Sequence, residues 1–161
     1  MYRENHITGK GVKVGVIDTG IMRDWEDFEG VDIQDGINVC ALLDNNEERL
    51  HIKGDAHPHG TGIIGNIAAK INNEKGIAGI VDECTVIPYK VEDTACSDFA
   101  NTCAGILKAL QLAYEDGCDV VNISMGSDPN LTETQIQMFN TVVDSVTSNG
   151  MIIVAAAGNE G

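Results

Sequence analysis

What most constrains this chain is the order of its apolar segments. Short runs that are apolar at almost every position alternate with longer segments whose apolar residues recur three and four apart. Val12 to Ile17, Cys84 to Val91, Asp119 to Met125 and Met151 to Ala156 are the runs, and Gly36 to Cys40 is a weaker one. A strand with one wet face alternates polar and apolar residues, whereas a continuous apolar run needs both faces covered. Strands of this kind, separated by helices, predict an α/β domain of three layers, a mostly parallel sheet flanked by helices. Pro88 marks an irregular point in the Cys84 run, because it has no N–H for a sheet ladder.

The helices are read from spacing and from their ends. His59 to Ile71 carries Ile63, Ile64, Ile67 and Ala68 at helical intervals. A second helix is predicted from an N-cap at Ser97 to about Asp116, with Phe99, Cys103, Ile106, Leu107 and Leu110 on one face and Gly117 as its stop. Thr132 and Gln135 form a capping-box pattern that opens a third. Its apolar face is Ile136, Phe139, Val142, Val143 and Val146, and Gly150 ends it. Asp44 to Lys53 reads as a polar loop, and no internal repeat is present.

A chain of 161 residues, 43% hydrophobic and 22% charged, is enough for one packed domain. Ten Lys and Arg stand against 25 Asp and Glu, a net charge of -15, which argues against nucleic acid as a partner. The charge is first a solubility feature, with attraction for a cationic partner as the other reading. No apolar stretch approaches the roughly 20 residues of a membrane span, so no membrane partner is expected. No apolar segment of the secretory kind follows Met1. The cysteines, at 40, 84, 96, 103 and 118, are odd in number and include no C-x-x-C pair. They read as reduced thiols of a cytoplasmic protein, with a secreted parent trimmed of its signal and prosegment as the alternative.

In parallel sheets, functional groups gather where strands end at their carboxyl edge. Three strand ends carry such groups: Asp18-Thr19-Gly20, Ser124-Met125-Gly126 and Ala155-Ala156-Ala157-Gly158-Asn159. A fourth segment, His59-Gly60-Thr61-Gly62, opens a helix. Each has a plain structural reading alone. An Asp after a strand is commonly a turn residue. Asp55, His57 and His59 alternate as metal ligands sometimes do, but no further ligand cluster accompanies them. Asp-Thr-Gly also occurs in aspartic proteases, whose all-β fold the alternating pattern excludes.

Taken together and in this order, the four segments resemble the subtilisin-like serine proteases. The resemblance runs from Gly9-Lys10-Gly11 to Gly161, with Gly65 and Ala68-Ala69 completing the histidine segment. It implies peptide or protein substrates, hydrolysis by acyl transfer and no required cofactor. His59 would be the general base, since an imidazole ordinarily titrates at about 6.5. Asp18 would hold its tautomer and stabilise the imidazolium. Asn159 would donate its amide to the oxyanion. Ser124, Met125 and Gly126 would form the strand against which an extended substrate pairs, with Gly126 leaving room for close backbone approach. Many family members bind calcium at places matched here by Asp27 and Asn73; a solvated acidic loop is the other reading of those residues.

The departures carry as much weight. The family's nucleophile lies in a Gly-Thr-Ser segment, and none of the serines at 97, 124, 127, 145 and 148 follows Gly-Thr. The family also commonly has a second His where Gly62 stands, and Gly where Pro58 stands. Residues 1–161 are therefore expected to be the N-terminal part of a single subtilisin-like peptidase domain, inactive alone. The rival readings are a non-catalytic pseudoprotease used for binding or regulation and an unrelated α/β binding domain. A strand at Met151 to Ala156 with no further neighbour would leave an open sheet edge and favour homo-association.

Overall fold

The computed structural model describes residues 4, 7–55, 57–92, 99–126 and 131–159. Its strands are β1 (Lys13–Asp18), β2 (Asp32–Ile33), β3 (Ile37–Asn38), β4 (Thr85–Lys90), β5 (Val120–Ile123) and β6 (Ile152–Ala155). They form one sheet in the order β2-β4-β1-β5-β6, with β3 also paired to β4, and every pairing is parallel. The helices are α1 (Val39–Leu43), α2 (His59–Ala68), α3 (Phe99–Glu115) and α4 (Glu133–Ser148), with single 3-10 turns at Glu26–Phe28 and Glu47–Arg49.

Alternate residues of β1 feed two apolar clusters on opposite faces of the sheet. Ile17 packs with Tyr89, Leu110 and Val121 under α3 and α4. Val14 and Val16 pack with Ile64 and Ala68 of α2. The apolar runs are thus explained by cover on both sides, and the three-layer α/β expectation holds. Among the described strands the cover is thinnest at the β6 edge. In register with Val120 and Asn122, Ile152 and Val154 face the α2 side beyond that helix's reach and are 59% and 51% exposed.

Most helix ends lie where local chemistry puts them. Thr132 and Gln135 make both capping-box hydrogen bonds at the start of α4. Gly117 and Gly150 follow α3 and α4 with φ of 74° and 98°. The predicted cap at Ser97 lies outside the described residues. α2 ends at Ala68, three residues before the predicted Ile71. Ile136, expected on the inner face of α4, is 45% exposed, because no described element covers the first turn there.

Two expectations need correction. The predicted strand from Gly36 to Cys40 is only two residues long, because the Asn38 side chain accepts from Ala41 N at 3.3 Å and starts α1 instead. The cysteines are not all thiols: Cys40 is disulfide-bonded, while Cys84, Cys103 and Cys118 are free. Pro88 is accommodated inside β4. Val86 O accepts from Gln34 N, so Val86, and Pro88 two residues on, turn their backbone polar groups toward β2 and β3. β2 ends opposite Val86 and β3 begins opposite Tyr89, so the missing N–H faces the gap between them.

Candidate active site

β1 lies between β4 and β5 and delivers Asp18 to the carboxyl edge of the sheet. The Asp18 carboxylate is buried, and its Oδ1 accepts from Thr19 N at 2.7 Å. The same oxygen lies 2.7 Å from His59 Nδ1, on the first residue of α2. An ionised carboxylate can only accept, so it selects the tautomer with the proton on Nδ1 and leaves Nε2 bare. Asp18 is 1% exposed and the His59 side chain 40%, so the pair has a dry end and a wet end. Asp18 Oδ2 is buried and finds no hydrogen-bond partner among the described residues. A buried, under-satisfied carboxylate gains when its neighbour becomes cationic, and a histidine base becomes cationic when it takes a proton.

The placement of His59 depends on how α2 is capped. Pro58, at the N-cap, offers no side-chain acceptor. The orphan N–H groups of the first turn are satisfied from elsewhere in the chain. Gly60 N donates to Thr19 Oγ1 at 3.0 Å, and Thr61 N donates to Asp55 Oδ2 at 2.8 Å. Thr61 Oγ1 donates to the same Asp55 oxygen and accepts from Met22 N. Thr19 Oγ1 in turn lies 2.8 Å from Asp55 Oδ1 and 2.9 Å from His57 O, between which its one proton is shared. The helix carrying His59 is therefore capped by the turn carrying Asp18. A Cβ on Gly60 would sit 2.3 Å from Gly20 O, so only glycine lets the two segments meet this closely.

Thr19, Gly60 and Thr61 lie in segments that the sequence marks, but their capping role and that of Asp55 are visible only in the fold. Among the described residues there is no group of three or more His, Cys, Asp or Glu able to hold a metal. The available signal was the proline at the cap position, which requires an acceptor from somewhere else.

His59 opens onto a cleft of about 480 Å³ that is also lined by His57, Glu92 and Ser124-Met125-Gly126. A Cβ at Gly126 would meet no atom of the described residues within 4 Å, which leaves room for a chain to approach the backbone there. The Ser124 hydroxyl accepts from Asn122 Nδ2 at 2.8 Å, and no hydroxyl among the described residues is hydrogen-bonded to His59. Ser127 lies outside the described residues. A second cleft of about 710 Å³ shares Ser124, Met125 and Gly126 and continues to Asn159. The turn to Asn159 is made at Gly158, with φ of 88°. Asp18 and His59 are thus in contact and Ser124 to Gly126 border them. Asn159 lies across that strand end, in the adjoining cleft.

Asp27 and Asn73 are also brought together, with N–H donors on the Asp27 carboxylate. Asp27 Oδ1 accepts from Asn73 Nδ2 at 2.8 Å and Oδ2 accepts from Ile77 N at 2.7 Å. Asn73 Oδ1 is taken by Lys75 N. The buried carboxylate already organises this loop with N–H donors.

The Subtilase family profile matches residues 9–161. The chain belongs to the subtilase family. It is 32% identical over 154 residues to subtilisin E of Bacillus subtilis (strain 168), covering 96% of this chain and 36% of that protein. The solved structure of a lanthipeptide protease has a TM-score of 0.74 and 26% identity, over 99% of this chain and 43% of that one. The nisin leader peptidase NisP from Lactococcus lactis gives 0.68 and 26%, over 93% and 44%. This subtilase chain therefore spans less than half the length of each of these three relatives.

Proposed function

We propose that this subtilase chain supplies the general base, its orienting carboxylate and an oxyanion donor of a serine endopeptidase. The observation that carries the reading is the 2.7 Å contact between His59 Nδ1 and buried Asp18, opening onto a cleft bordered by Ser124 to Gly126. In this scheme a peptide lies extended along that strand end. A serine supplied by sequence outside these residues loses its proton to His59 Nε2 and bonds to the scissile carbonyl carbon. Asn159 donates to the resulting oxyanion; loss of such a donor costs about 10²–10³ in kcat. His59 then passes the proton to the leaving amine as the C–N bond breaks, and water attacks the acyl-enzyme by the same route.

The substrate class is a peptide or protein, in keeping with relatives described as a lanthipeptide protease and a leader peptidase. The disulfide at Cys40 supports the secreted alternative over the cytoplasmic one. A fluorophosphonate probe with mass mapping tests the reading. The 161 residues alone should take no label, and a gene product that includes a Gly-Thr-Ser segment should label there. His59→Ala should abolish that labelling. Stoichiometric labelling of Ser124 or Ser127 in the chain would show that the nucleophile is misassigned. No labelling in a product that does carry Gly-Thr-Ser would favour the pseudoprotease.

A further inference from the structure

We propose that Glu92 selects a lysine or arginine side chain in the bound peptide. The inference rests on the peptidase reading and names the substrate class of that same cleft. β4 ends at Lys90, and Val91 N then donates to Asp18 O at 2.9 Å, so the chain leaving the sheet is still tied to the Asp18 turn. The next residue, Glu92, is exposed and lines the cleft with His57, His59 and Ser124 to Gly126. Among the described residues lining this cleft, Glu92 is the one carboxylate. Among the described residues, none is hydrogen-bonded or ion-paired to its carboxylate.

A carboxylate on a concave wall acts through focused field lines more strongly than one on a flat surface. The net charge of -15 disfavours an acidic peptide. An ammonium or guanidinium reaching Glu92 gains a charge-assisted hydrogen bond that a neutral side chain of equal length does not. An extended peptide turns alternate side chains to opposite sides. The preference therefore belongs to one position of the peptide and is not a general liking for basic chains.

The test uses short alanine-rich peptides with one lysine moved through each position, each paired with norleucine at the same place. Binding to the chain is followed by the NMR shifts of the His59 ring and the Gly126 amide. At one position lysine should bind about threefold to tenfold more tightly than norleucine. Glu92→Gln should bring that ratio to near one, and about 0.5 M salt should shrink it in the wild type. If peptides shift His59 but lysine and norleucine bind alike at every position, the assignment to Glu92 is wrong while the cleft stands. The same holds if the lysine preference survives Glu92→Gln. If no peptide shifts His59 in either protein, the peptidase reading falls and the proposal with it.

Discussion

Replacing Asp55 by alanine removes the acceptor of three hydrogen bonds, from Thr19 Oγ1, Thr61 N and Thr61 Oγ1. The side chain is half-buried, so each bond is worth about 1 kcal/mol, below the range for fully buried charged acceptors. Losing an N-terminal cap costs a similar amount, about 0.5–2 kcal/mol. The expected loss is about 2–4 kcal/mol, which for a domain of this size lowers the melting temperature by roughly 5–15 °C. Asp55→Asn should cost much less. Its oxygen can still accept from Thr61, and its amide can donate to Thr19 Oγ1, which is then free to give its own proton to His57 O. Thermal melts followed by circular dichroism measure both variants. An Asp55→Ala protein within about 0.5 kcal/mol of wild type, or an Asp55→Asn protein as unstable as Asp55→Ala, would refute the capping argument.

Burial raises the thiol pKa of Cys84 and of Cys118 above the ordinary 9.0, and burial together with donation to Asp116 raises that of the Tyr89 hydroxyl above 10.0. The folded chain holds all three protonated where the unfolded chain ionises them. Their contribution is complete below about pH 9 and declines above it, by at most about 1.4 kcal/mol per pH unit for each group. Urea midpoints at about pH 8 and about pH 10.5 should therefore differ, and equal midpoints contradict the account. Calcium must displace the N–H donors of Asn73 and Ile77 from Asp27, so about 1 mM calcium should move the melting temperature by less than about 1 °C; a rise of several degrees would show that the loop rearranges to bind it. The exposed Ile152 and Val154 on edge strand β6 should drive association near about 100 μM, read by light scattering, and a monodisperse monomer contradicts this.

Sequence legibility followed the range of the interactions. The capping box at Thr132 and the glycine stops at Gly117 and Gly150 are complete within a few residues, so each was readable. Asp18 and His59 were legible because a strand end and a helix start bear recognisable neighbours. β2 was not, because its two residues are a strand only through β4. The run Val39-Cys40-Ala41-Leu42-Leu43 has the same apolar character as strand or helix, and the Asn38 side chain decides it. Asp55 joins three segments that only the fold assembles, so its capping role has no local signature. The proximity of Asp27 and Asn73 was anticipated, but which of their atoms face each other depends on the backbone of the 72–77 loop.

The claim on which the catalytic reading rests is that Asp18 keeps Nε2 of His59 free to accept a proton. Nitrogen-15 NMR of the histidine rings, on the chain as it is, measures this directly. At a pH where His59 is neutral, its proton should reside on Nδ1, with Nε2 bare. Asp18→Asn places an amide where the carboxylate was, and an amide donor there favours the opposite tautomer. His57, which contributes its backbone carbonyl and not its ring to the Thr19 contact, should be unaffected and serves as the control. A wild-type His59 protonated on Nε2, or a tautomer that does not respond to Asp18→Asn, would contradict the account.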